Sequence, residues 1–108
     1  MTTESAIRLI DGIDKTELTS LKQELFKYAV DYSRIRVDWY LANSEGRREM
    51  EDLRSAKHTA FIDSCNVLSR AMIKKGEDAT WRKRLGDDRK TIGDFACFIN
   101  LITGLRAR

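Results

Sequence analysis

The amino-acid sequence predicts an all-α fold, an antiparallel three-helix bundle with a long first helix and a short helix between the second and the last, and three observations carry that reading. Its 108 residues include no proline, so no position lacks the backbone N–H that a helical ladder requires. Apolar residues recur in steps of three and four over most of the chain. Gly12, Gly46, Gly76, Gly86 and Gly104 stand where that recurrence starts, breaks or stops, and so read as boundaries between helices. With 42% hydrophobic and 34% charged residues the chain has enough apolar surface for a core, and its length suits one core rather than two. A single domain over 1–108 follows, with Ile7, Leu9, Ile10 and Ile13 in 1–13 as a short docking arm.

The first helix is the clearest. Leu18, Leu21, Leu25, Tyr28, Tyr32, Ile35 and Trp39 alternate by three and four, the seam of an amphipathic helix. Asp14, three residues before Glu17, makes a capping box, and Asn43-Ser44 ends the run, giving a helix over 15–43. The second helix extends from 44 or 45 to 75, entered through Glu45, Glu49, Glu51 and Asp52 and left through Lys74 and Lys75, the charge order that a helix dipole favours. His58, Phe61, Cys65, Leu68 and Met72 form one stripe on it; Leu53, Ala56, Ala60, Val67 and Ala71 form a second, wide enough together to touch two neighbours.

Beyond Gly76 a short helix capped by Asp78 places Trp81 and Leu85 on one face, to close one end of the core. The last helix starts at 87 or 88 and runs to about 105, with Ile92, Phe95, Ile99 and Ile102 on its main face and Ala96, Phe98, Leu101 and Leu105 widening it. Gly93 interrupts this helix at a cost of about 1 kcal/mol relative to alanine, and a close approach by another helix is the reason to keep it. Short connections imply an up-down-up order.

Little of the sequence carries catalytic chemistry. His58 is the lone histidine, and Cys65 lies seven residues on, two helical turns or about 10.5 Å away, too far to share a hydrogen bond. Cys65 sits between Phe61 and Leu68 without a base, and a buried thiol is the better reading than a nucleophile. Cys97 is likewise read as a core thiol, with a disulfide between the two as the alternative. One histidine and two separated cysteines do not make a zinc site, so no metal and no cofactor are expected. The acidic pairs Glu51-Asp52 and Asp87-Asp88 point about 100° apart on a helix and fit helix starts better than a shared substrate. His58, Asn66, Arg70, Asp88 and Asp94 are expected to form a structural polar cluster, with Arg70 bridging to Asp88 or Asp94 from an antiparallel second helix.

Charge is uneven. Residues 1–69 hold ten Lys/Arg against twelve Asp/Glu and residues 70–108 hold ten against five, giving −2 and +5. Arg82, Lys83, Arg84, Arg89 and Lys90 are therefore candidates for non-specific phosphate contact with nucleic acid, although the apolar helix that follows does not suit base reading. No apolar run reaches the length needed to cross a membrane and no secretory leader opens the chain, so a cytoplasmic protein without a membrane partner is expected.

At HTAFIDSCNVLSRAM (58–72) and LGDDRKTIGDFACFI (85–99) the chain resembles a family of small uncharacterised helical proteins of Gram-positive bacteria and their mobile elements. The likeness rests on His, Asn and Arg at 58, 66 and 70 and on a D-R-x-x-x-G-D-F run at 88–95, and it implies a helical fold and a bacterial cytoplasm, with no site. The function expected is that of a non-enzymatic interaction or regulatory protein, a homodimer that presents a helical surface to another protein. The alternatives are a nucleic-acid accessory protein and an immunity-type protein that neutralises a toxin.

Overall fold

The computed structural model describes the backbone of residues 17–106 and the side chains of residues 18–104. The docking arm and the Asp14 half of the capping box lie outside the described residues. Four helices follow one another: α1 (Glu17–Leu41), α2 (Ser44–Lys74), α3 (Thr80–Leu85) and α4 (Arg89–Arg106). The fold is an all-α bundle, as the periodicity predicts. The 31 residues of α2, at 1.5 Å rise each, set the long dimension of a molecule 47 × 30 × 22 Å across.

Only Ala42 and Asn43 separate α1 from α2, so the two helices form a hairpin. Asn43 makes the turn: its side-chain oxygen accepts the Gly46 N–H at 2.8 Å and caps α2. Gly46 consequently stands in the first turn of α2 and is no boundary. Gly104 is no boundary either, since α4 continues through it to Arg106; a Cβ there would meet nothing within 4 Å. Gly76 and Gly86 do mark ends, with positive φ of 77° and 66° that a residue bearing a Cβ rarely adopts.

The order of the helices differs from up-down-up. Along α1, Asp31 and Tyr32 meet Lys57 and His58, whereas Trp39 meets Arg54 and Arg47, so α2 is antiparallel to α1. Ser33 pairs with Asn100 and Arg36 with Asp94, so α4 is antiparallel to α1 as well. The second and last helices therefore run parallel to each other. Between them α3 carries the chain back along α2, with Trp81 Nε1 on Met72 Sδ at 3.3 Å and Arg82 Nε on Asn66 Oδ1 at 2.6 Å. Its task is this return, rather than closing one end.

The core follows from this arrangement. From α1 come Leu18, Leu25, Ala29, Tyr32 and Ile35; from α2, Phe61, Cys65, Leu68 and Met72; from α3, Leu85; from α4, Ile92, Phe95, Ala96, Ile99 and Ile102. A chain of rings joins all four helices: Tyr32 to Phe61 with centroids 6.3 Å apart, Phe61 to Phe95 at 6.1 Å and Phe95 to Trp81 at 6.1 Å. The second stripe proposed for α2 is covered only in part, with Ala60 and Ala71 half-buried and Ala71 against the core. Leu53, Ala56 and Val67 are exposed, because the hairpin partner covers only one side of α2. Leu101 of α4 is also exposed, so that helix is less enclosed than its composition suggests.

Candidate interaction surface and the polar cluster behind it

The residues expected to gather as one polar cluster have separate partners and do not form one. Asn66 holds α3 to α2 by accepting from Arg82. Asp88 caps α4, where one carboxylate oxygen accepts both the N–H and the hydroxyl of Thr91 at 3.0 Å. Those bonds from Thr91 hold the Asp88 carboxyl below its ordinary range. Asp94 takes cations from α1 and from its own helix: Arg36 Nη1 at 3.4 Å and Lys90 Nζ at 3.1 Å. Burial raises the Asp94 carboxyl, but Lys90 and Arg36 outweigh it and leave it below the ordinary value.

Arg70 is exposed and does not make the bridge expected of it. The reason is topological. With α4 parallel to α2, its first turn lies at the level of His58, whereas Arg70 is three turns farther along α2. Arg36 occupies the expected position from α1, and Gly93 is what admits it: a Cβ at Gly93 would stand 2.5 Å from the Arg36 guanidinium carbon. The close approach inferred from this mid-helix glycine is thus real, although the group that fills the space is one side chain and not a helix backbone.

His58 is packed edge-on against Tyr32, with centroids 5.3 Å apart and planes at 74°. Burial, with Arg89 and Arg54 adding their charges, holds the imidazole below its ordinary value of 6.5. Unfolded, His58 takes its proton near that ordinary value; folded, it does so only at lower pH. The stability due to the neutral ring is therefore complete above about 6.5 and is lost as pH falls through the folded value. Urea midpoints should fall between pH ~7.5 and ~5, and His58→Gln should flatten that slope. Asp88 and Asp94 do not enter this window, because their depressed carboxyls act only below their ordinary 3.8. A slope unchanged in the His58 variant would remove the assignment.

Cys65 is fully enclosed, and burial pushes its thiol up to about 12, so it stays protonated at neutral pH. Cys97 is half-buried, with Sγ 3.6 Å from Arg36 Nη1, and both cysteines are free thiols. Cys97, expected in the core, is thus only partly enclosed. Among the described residues no three His, Cys, Asp or Glu side chains gather as a metal site.

The basic segment is not uniform. Arg82 donates to Asn66, to the Gly86 carbonyl at 2.8 Å and to Asp87 at 3.0 Å, an internal tie that sequence reasoning placed on the surface. Lys83, Arg84, Arg89 and Lys90 are exposed, and Lys90 leans on Asp94.

A different surface was not legible as a site in the sequence. Between α1 and α4 lies a mostly apolar groove of about 510 Å3, lined by Ser33, Arg34, Val37, Asp38, Cys97, Asn100 and Leu101. Val37 is 54% exposed and Leu101 60%, and Leu41, one turn beyond Val37, is 83% exposed. In the sequence, Val37 falls outside the buried seam; its appearance beside Leu101 needed the register of α4 on α1. No described helix is long and apolar enough to cross a membrane. Comparison with family models, with curated proteins and with solved structures finds no match to this chain.

Proposed function

We propose that the protein is a non-catalytic helical interaction protein that acts as a homodimer, joined through the groove between α1 and α4. The observation that carries this reading is the pairing of Val37 and Leu101, large apolar side chains more than half exposed on adjacent helices. Charge favours a second copy as the occupant. Arg34 and Asp38 flank Val37 one turn apart on α1, and a two-fold axis between them would set each arginine against the aspartate of the other copy. Such a contact is self-complementary and closed. The chemistry of the interior supports a role without catalysis, since the one histidine is packed on Tyr32 and the Cys65 thiol is held protonated.

The test is the molar mass in solution by light scattering and sedimentation across the micromolar range. The full chain is expected to be dimeric, and Val37→Glu with Leu101→Glu monomeric with an unchanged helical spectrum, because both positions are solvent-facing. Asp38→Arg should weaken the dimer by like-charge contact, and Arg34→Asp added to it should restore it. A monomeric full chain, or a dimer indifferent to these changes, would overturn the proposal.

A further inference from the structure

Three buried polar atoms without a hydrogen-bond partner belong to neighbouring groups: Tyr32 Oη, Arg54 Nε and His58 Nε2. Tyr32 is 0% exposed and lies edge-to-face with His58, which follows Arg54 by one turn on α2. Each of the three can donate a hydrogen bond, the imidazole in one of its tautomers. A buried donor left without a partner is costly, so three of them on neighbouring groups call for an acceptor.

Positive charge accompanies them. Arg36, Trp39, Tyr40, Arg47 and Arg54 line a pocket of about 180 Å3 beside the α1–α2 turn. Arg54 belongs to both groups, since it lines the pocket and its Nε is one of the three unpartnered atoms. Trp39 fixes two of the cations: the Arg54 guanidinium lies 4.4 Å from its ring centroid and that of Arg47 5.7 Å, while Arg47 Nε donates to the Trp39 carbonyl at 2.9 Å. Stacking occupies the face of a guanidinium and leaves its terminal N–H groups for an oxyanion, which they can meet in bidentate fashion. Among the described residues Arg36 has Asp94 as its carboxylate, and no ion pair is formed by Arg47 or Arg54.

We infer that this pocket binds a phosphate group, with Arg47 and Arg54 as its principal cations. Tyr40, 72% exposed at the pocket's edge, offers a ring face to whatever the phosphate carries. The pocket and the dimer groove share no lining residue, so variants can be chosen that change one and leave the other.

His58, the lone histidine, serves as the reporter. Its imidazole resonances are followed by NMR while inorganic phosphate or adenosine monophosphate is titrated at constant ionic strength, with chloride as the control. Saturable shifts are expected with both. Tighter binding of the nucleotide, lost in Tyr40→Ala, would assign a nucleoside phosphate, and equal affinity would assign free phosphate; either supports the site. Arg47→Gln and Arg54→Gln should each weaken binding about tenfold, and Arg70→Gln, elsewhere on α2, should leave it unchanged. Should the half-buried Arg54 variant fail to fold, the Arg47 variant carries the test alone. No saturable shift with either compound, or binding unaffected in the Arg47 variant, would overturn the inference.

Discussion

Phe61→Ala is expected to lower the free energy of unfolding by about 3–5 kcal/mol, the range for truncating an enclosed aromatic ring. Phe61 is fully buried and touches the rings of Tyr32 and Phe95, so its loss removes ring contacts that α2 makes with both α1 and α4. Neighbouring side chains have little freedom to close the space, since Tyr32, Phe95, Ile92 and Ile99 are themselves enclosed. Chemical denaturation followed by circular dichroism measures the effect. A loss below about 1 kcal/mol would mean that the ring chain does not hold the bundle together.

Arg82→Ala is expected to cost about 2 kcal/mol, whereas Lys83→Ala and Arg84→Ala should each change stability by less than about 0.5 kcal/mol. Most of the loss comes from Asn66 Oδ1 and the Gly86 carbonyl, both deprived of a charged donor. The Asp87 pair adds little, because that carboxylate is 85% exposed and solvent screens it. These three neighbours look equivalent in sequence. Denaturation midpoints that fall together for all three variants would show that Arg82 is not the tie between α3 and α2.

What the sequence makes legible here depends on whether one helix settles the matter. Leu18, Leu25, Tyr32 and Ile35 repeat on one face of α1 and are buried together, because a local period alone decides which face is apolar. Asn43, Gly76 and Gly86 likewise act through local backbone chemistry. The direction of α4 does not. It depends on the residues between Lys74 and Arg89 folding back along α2, a choice fixed by Trp81 on Met72 and Arg82 on Asn66. The bridge expected of Arg70 failed with that direction, and Arg36 took its place across 58 residues of chain. The candidate sites were illegible for the same reason. Val37 with Leu101, and Arg47 with Arg36, are pairs that only the register between helices brings together.

The return made by α3 also bears on when the molecule becomes whole. The hairpin of α1 and α2 needs a turn of two residues, but α4 reaches α1 through contacts 58 to 67 residues apart in the chain. Local pairs close quickly and distant ones slowly, so α4 docks late. On a ribosome, where the amino-terminal part emerges first, the hairpin waits with its greasy seam uncovered until the last eighteen-residue helix is released to lie down upon it.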